Sequence, residues 1–400
     1  MLKGVTNDSR LVKHGWAFVA YEGVNEDLHK YIPEARQNGA TLVVGEKGDV
    51  DEKVSDGRVA FAEMSAKFYE YPAKKLKLIG ITGTNGKTST AFMLTSILRA
   101  GYIGTVGFNF TTPDPSRLHL LLQKFLGEGK EYVVIETTSQ GLEQKRLHGL
   151  DFEVGVFTNL TQDHLDYHKD MEAYFKSKLI LFSQAKTAVL NRDDPYSKKI
   201  KHNKIVMYGP YEGALSMPGK FNQYNAGAAE AAAQVLGIRG SVIREALGEI
   251  TVPGRFEMVG DRVIVDYAHT PNALELVLEN AKEIVKGKLI SVFGCGGDRD
   301  KGKRSLMGEI STRLADYTII TSDNPRTEKP ETIIKDIKKG IGKGEYEVVE
   351  DRREAIKKAI EMSGANDLVV IAGKGHEDYQ ILGTKKIHFD DREEARKYLK

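Results

Sequence analysis

Gly83-Thr84-Asn85-Gly86-Lys87-Thr88-Ser89 is the stretch of this 400-residue chain whose residue types most directly imply chemistry. An apolar run, Leu76 to Thr82, precedes it, and a helical pattern from Lys87 to about Ala100 follows. Strand, glycine turn and helix in that order predict a phosphate-binding loop, because the first N–H groups of a helix point at bound phosphate oxygens. Lys87 would reach the β- and γ-phosphates, and the Thr88 hydroxyl would hold Mg2+. Ile81 stands where the strict pattern has its first glycine. A tight strand–helix turn is the plain alternative.

Glu136 ends a second apolar run, Tyr132-Val133-Val134-Ile135. Ligands of open α/β sheets gather at the carboxyl ends of strands, and Mg2+ takes one or two carboxylates besides phosphate oxygens. An ordinary strand-end acid is the competing reading. Thr158-Asn159-Leu160-Thr161-Gln162-Asp163-His164 follows a third run, Val154 to Phe157. On a helix His164 and His168 would share a face, although a solvated polar turn explains them equally. Lys178 lies in an amphipathic helical pattern with Tyr174, Phe175, Leu179 and Phe182. By pattern alone it is an exposed lysine.

Four more polar turns each follow an apolar run in the last third of the chain. They are Asp266-Tyr267-Ala268-His269-Thr270-Pro271, Gly294-Cys295-Gly296-Gly297-Asp298-Arg299-Asp300, Asp323-Asn324-Pro325-Arg326 and Gly373-Lys374-Gly375-His376-Glu377. Singly, each is turn chemistry. Together, at the carboxyl ends of four parallel strands, they predict one crevice lined by carboxylates and arginines. Cys295 is expected only to pack there.

Positioning these turns requires alternating strands and helices, hence parallel sheets. The fold class is α/β, in three domains. A small N-terminal α/β domain, 1–72, has strands at Ala17 to Ala20 and Leu42 to Val44, with a helix from Tyr31 to Ala40 between them. A Lys-rich linker, Tyr71 to Lys75, leads into a central parallel-sheet domain of the P-loop type, 73–253, which closes with a helix from Ala226 to Leu236. Pro253-Gly254-Arg255 then opens a C-terminal Rossmann-like domain, 254–400. Its strands are expected at Val263 to Val265, Leu289 to Phe293, Tyr317 to Thr321 and Leu368 to Ile371. Its helices are expected at Asn272 to Val285, Glu331 to Ile337 and Arg352 to Met362. At about 150 residues per domain the length agrees. With 40% hydrophobic and 28% charged residues, the composition is that of an ordinary globular chain. The 58 Lys and Arg nearly cancel the 56 Asp and Glu, so no basic excess points to nucleic acid. A single cysteine excludes an internal disulfide and a Cys-based zinc site. No apolar run approaches the ~20 residues of a membrane span, and no signal-peptide pattern opens the chain. A cytoplasmic protein acting on small molecules, without nucleic-acid or membrane partners, is expected.

Taken together, the loop at Thr82 to Thr88, Thr158-Asn159-Leu160 with Asp163-His164, and Phe221-Asn222-Gln223-Tyr224-Asn225-Ala226 resemble the Mur ligases of peptidoglycan synthesis. So do Pro253-Gly254-Arg255, the four C-terminal turns and, near the start, Asp8-Ser9-Arg10. The resemblance spans nearly the whole chain and is nearest to the tripeptide-forming members. It implies an ATP- and Mg2+-dependent amide ligase. ATP phosphorylates a substrate carboxylate, and an amine attacks the acyl phosphate to give an amide, ADP and phosphate. Lys87, Glu136, His164 and Lys178 would be catalytic. Thr88 and Glu136 would serve one Mg2+, and His164 another, with Lys178 carbamylated into an anionic ligand. Gly83, Thr84, Asn85, Gly86, Lys87, Thr88 and Ser89 would surround ATP, with Asn159, Asn222, Asn225, Arg255, Asp266 and His269. Ser9, Thr111, Thr112, Thr138, Gln144 and Arg146 would hold a UDP-muramoyl dipeptide. Arg299, Asp323, Asn324, Arg326, Gly373 and Glu377 would hold the incoming amino acid, expected to be meso-diaminopimelate because Arg326 can pair with its distal carboxylate. A monomer is expected. The chain departs from the family at Thr138-Ser139-Gln140, where members usually read Ser-Ser-His. It is also shorter between Gly101 and Thr111 and between Tyr208-Gly209 and Pro218-Gly219. Two other readings stand beside this one: a related ligase that adds lysine or another amino acid to a different carrier, and a non-catalytic nucleotide-binding module.

Overall fold

The computed structural model describes residues 2–108 and 110–399. The shortened segment from Gly101 to Thr111 therefore includes one residue, Asn109, outside the described set. The chain forms two compact units, Met1–Gly213 with Tyr224–Leu247, and Ala214–Gln223 with Gly248–Lys400.

The first unit carries two sheets. Gly4–Thr6, Trp16–Ala20, Ala40–Gly45 and Glu52–Lys53 form a four-stranded parallel sheet in that order. The helix expected over Tyr31 to Ala40 is shorter, Ile32–Gln37, because Ala40 already belongs to the next strand. The second sheet has six parallel strands in the order Ile205–Tyr208, Ala185–Asn191, Phe152–Phe157, Lys77–Thr82, Tyr132–Glu136, Gly101–Ile103. Its three central strands are buried on both faces, which is why they read as continuous apolar runs. Lys77–Thr82 is central. The chain leaves it for one side of the sheet and later crosses to the other, so the phosphate loop sits at the switch point where crevices form. The Lys-rich linker is a turn of 3-10 helix, Pro72–Lys75.

The second unit holds a mixed sheet in the order Glu257–Val259, Val263–Asp266, Leu368–Ala372, Leu289–Phe293, Tyr317–Ile320, Tyr346–Val348. Only the edge strand Glu257–Val259 is antiparallel, a departure from the parallel sheet expected. Helices Pro271–Ile284, Gly302–Leu314 and Pro330–Lys338 cover one face through Leu274, Leu278, Met307 and Ile337. Arg352–Met362 and Asp391–Arg396 cover the other through Ile356, Ile360 and Ala395. A hairpin, Tyr379–Leu382 with Lys385–His388, follows the last sheet strand. No helix among the described residues is long and apolar enough to cross a membrane.

Candidate functional site

The helix Lys87–Leu98 starts directly at the glycine turn. Gly86 stands at φ 83°, and a Cβ there would lie 2.3 Å from Asn225 Oδ1, so the loop closes only around a glycine. Asn159 clamps the loop from the neighbouring strand end. Its Oδ1 accepts from Asn85 N at 2.9 Å, and its Nδ2 donates to Asn85 O at 3.1 Å. Lys87 Nζ donates to the carbonyls of Gly83 and Thr84, at 2.8 and 2.7 Å. Thr88 Oγ1 donates to Glu136 Oε2 at 2.9 Å. The two residues singled out for a cation are thus in contact, although 48 positions apart in sequence.

Glu136 is fully buried. Oε2 also accepts from Thr105 Oγ1, while Oε1 accepts from Tyr102 OH at 2.5 Å and Thr105 N at 3.0 Å. No lysine or arginine pairs with it among the described residues. A buried carboxylate met only by hydroxyls and one amide has the oxygen chemistry Mg2+ selects, with the remaining positions left to phosphate and water. Groups of three or more His, Cys, Asp or Glu side chains able to hold a metal do not occur among the described residues.

Lys178 corrects the pattern reading. On the helix Met171–Ser183 it is only 1% exposed. It lies four residues from both Tyr174 and Phe182, on the apolar stripe, and the period prevails over the residue type. Gly80 in the central strand lets this helix approach, since a Cβ there would meet Leu181 Cδ1 at 2.5 Å. Lys178 Nζ consequently reaches Gly83 O at 2.9 Å and lies 4.3 Å from the centre of the Tyr174 ring. Burial, and then the charge of Lys87, press its pKa well below the usual lysine value. The protonated form of an amine inside the phosphate-loop region is thereby disfavoured.

His164 and His168 do not share a helix face in the expected way. The helix is a single turn, Leu165–His168, and His164 is its left-handed entry at φ 53°. His164 packs edge-on against Tyr174, with Asp163 Oδ2 3.5 Å from its Nε2. His168 turns inward, stacked on Tyr174 and bonded to Ser139 Oγ at 2.8 Å.

A cavity of about 300 Å3 opens in the same unit, lined in part by Tyr21, Arg58, Thr112, Asp114, Gln144 and Arg146. Arg146 donates to Thr112 O and Gln144 Oε1, each at 2.7 Å. Thr112 Oγ1 donates to Glu136 O at 2.8 Å, joining the cavity wall to the metal-candidate strand. Thr138 Oγ1 is 3.0 Å from Thr112 Oγ1, and Thr111 Oγ1 is 2.9 Å from Thr105 Oγ1. Ser9 lies outside the lining and donates to Glu34 Oε2 at 2.5 Å.

In the second unit, Asn222 is buried and donates to Pro218 O. Asp266 accepts from the amides of Phe256 and Ala268, each at 2.7 Å, and burial raises its pKa. Arg255 lies 4.4 Å over the Tyr267 ring, which packs against His269 and His376. His269 Nδ1 meets Tyr267 O at 2.8 Å. A Cβ at Gly375 would meet Tyr267, one at Gly373 would meet Asp323 and one at Gly297 would meet Pro325 O, so the four polar turns do converge. Arg326 is left-handed at φ 52°, its N–H donating to Ile381 O and its guanidinium to Gly297 O at 2.9 Å. Asn324 Nδ2 donates to Glu377 Oε2 at 2.9 Å. Gly373 backs against Asp323, and Arg299 is exposed beside Asp298 O. Cys295 packs, as expected, against Met307. Sequence reasoning passed over Lys374, fully buried and donating to Tyr379 O, to Glu377 Oε2 at 3.2 Å and to Asn324 Oδ1 at 3.5 Å. Its place between two glycines was the available signal. It also passed over Tyr102, for which the sequence carries none.

Residues 81–217 match the Mur ligase middle domain, and residues 254–375 match the Mur ligase, glutamate ligase domain. A UDP-N-acetylmuramoyl-L-alanyl-D-glutamate–2,6-diaminopimelate ligase of Clostridium botulinum is 44% identical over 462 aligned positions, covering 100% of this chain and 95% of that protein. The alignment is longer than the chain, so the relative carries segments absent here. A solved structure of a ligase of the same name is 33% identical with a TM-score of 0.68, covering 99% of this chain and 94% of that one. The MurF ligase of Thermotoga maritima, solved in complex with ADP, shares the fold at 21% identity and a TM-score of 0.64, covering 93% of this chain and 94% of that one.

Proposed function

Since the chain belongs to the Mur ligase family, we propose that it joins 2,6-diaminopimelate to UDP-N-acetylmuramoyl-L-alanyl-D-glutamate at the expense of ATP. The observation that carries this reading is the buried pairing of Thr88 with Glu136 beside Lys87, on a phosphate loop at the sheet's switch point. Backbone N–H groups of residues 84–88 and the Lys87 ammonium bind and orient the triphosphate. Thr88 and Glu136 would hold Mg2+, with His164 and carbamylated Lys178 toward a second ion. Bound there, Mg2+ would offset the repulsion between the γ-phosphate and the attacking carboxylate.

Arg146, Gln144, Thr112 and Thr138, with Thr111, bring the acceptor's carboxylate to the loop. Asn222, Asn225, Arg255, Asp266 and His269 are further candidates for binding nucleotide. Asp323, Asn324 and Glu377 receive ammonium groups of the diamino acid, and Arg326 with Arg299 pairs its carboxylates. The neutral amine of Lys178 is the form that adds CO2, since a protonated ammonium has no lone pair to donate. The domain division 1–72, 73–253 and 254–400 belongs to this proposal, as do a monomeric state and a cytoplasmic location. Phosphate release from ATP in the purified full chain is expected only when acceptor and amino acid are both present. A nucleotide-binding module without activity would release none under any combination.

A further inference from the structure

Two residues around Glu136, Thr105 and Tyr102, are accounted for by neither the motifs nor the family's binding positions, and Tyr102 is the one whose side chain reaches Oε1. It sits on the short strand Gly101–Ile103, in the segment where this chain is abbreviated. Its ring packs on Phe92, with centroids 4.7 Å apart, and its hydroxyl is aimed at Glu136 Oε1. Val106 N donates to that hydroxyl at 3.2 Å, so the phenol oxygen is held from one side and gives its proton to the other. Gly104 fits because a Cβ there would stand 2.3 Å from Glu136 Oε1 and 2.4 Å from Tyr102 OH. The strand end is thus built closely around this one contact.

We propose that Tyr102 is a positioning residue that makes Glu136 offer a single oxygen, Oε2, to a divalent cation. The inference rests on the reading of Thr88 and Glu136 as a Mg2+ site. Tyr102 OH and Thr105 N together occupy Oε1. Oε2 faces the Thr88 and Thr105 hydroxyls. The Thr88 and Thr105 hydroxyls can rotate their protons away and turn a lone pair to a cation, whereas the Thr105 N–H cannot, and the Val106 N–H on the other side of the phenol oxygen holds the Tyr102 proton on Oε1. The two oxygens therefore differ in kind. Mg2+ demands near-ideal octahedral geometry and tolerates a two-oxygen carboxylate grip poorly. Partners that orient a ligating group usually change metal affinity by about 10- to 100-fold when removed.

The experiment uses the full chain with ADP. Mn2+ binding is followed by electron paramagnetic resonance, and ADP binding is followed separately in EDTA. Tyr102→Phe keeps the ring on Phe92 and removes the donated proton. It is expected to weaken Mn2+ by about tenfold or more, while metal-free ADP binding stays within about twofold, a split that loss of packing alone would not give. An unchanged Mn2+ affinity, or an equal loss in both titrations, overturns the proposal. Glu136→Gln distinguishes the two failures. If it abolishes Mn2+ binding while Tyr102→Phe does not, the positioning role alone is wrong. If it leaves Mn2+ binding intact, the metal site and the positioning role fall together.

Discussion

The phosphate-loop region and the scaffold of the second unit handle buried charge in opposite ways. Around the loop, Glu136 and Lys178 are both buried, and neither has an oppositely charged side chain in hydrogen-bond contact among the described residues. In that scaffold the largest buried charges are matched, whereas Asp266 and Asp323 in the polar turns are held by main-chain amides. Arg352 forms a two-bond pair with Asp391 at 2.7 and 2.8 Å. Arg304 joins Glu328 and Asp336, and Lys374 joins Glu377. Matched charges build a scaffold that stands by itself. Buried charges held only by neutral dipoles keep binding capacity in reserve for a ligand, and on the proposed function those at Glu136 and Lys178 handle ligand charge.

Replacing a group on the loop should have the largest effect. Lys87→Ala is expected to lower turnover by at least about 100-fold, the scale of one lost charge-stabilising contact at a reacting centre. Steady-state phosphate release measures it. Near-normal turnover would remove the loop from the chemistry and erase the contrast. Lys178→Ala should be comparably severe, and the native enzyme should lose activity when bicarbonate is stripped and regain it on return. Indifference to bicarbonate would mean that the buried amine acts as a plain lysine.

Next in size is Arg326→Ala. It would leave one substrate carboxylate without its partner, at roughly 1–3 kcal/mol, or about 5- to 150-fold in kcat/KM for diaminopimelate. Lysine, lacking that carboxylate, should change little. Equal losses with both amino acids would make Arg326 part of the scaffold.

The smallest effect tests the scaffold. Arg304 holds the Glu328 pKa down to about 2, from 4.5 for the free side chain. A carboxyl whose folded pKa is depressed contributes stability that is complete above its unfolded pKa and is lost as pH falls toward the folded one. Unfolding midpoints of the native chain should therefore decline from about pH 5 to pH 2. Glu328→Gln should flatten part of that decline. Parallel curves would show that the pair adds nothing.

The same contrast explains what could be read from the sequence. Spacing alone located Gly86-Lys87-Thr88, and apolar runs located Leu289–Phe293 and Arg352–Met362 to the residue, since each is set by local periodicity. The four C-terminal turns followed from strand ends. Lys178 was read outward because residue type and period disagreed, and only packing through Gly80 decides between them. The Tyr102–Glu136 contact joins residues 34 positions apart on different strands, beyond the reach of any local pattern. The hairpin Tyr379–Leu382 with Lys385–His388, and the antiparallel edge Glu257–Val259, are strands of three or four residues whose pairing depends on tertiary neighbours.

The most direct test is product formation. The purified chain is incubated with ATP, Mg2+ and UDP-N-acetylmuramoyl-L-alanyl-D-glutamate, with meso-diaminopimelate or lysine as the amine, and products are identified by mass. The account predicts a diaminopimelate adduct formed in step with phosphate, and much less with lysine. A preference for lysine would contradict the specificity assigned to Arg326, and no adduct with either amino acid would contradict the ligase itself.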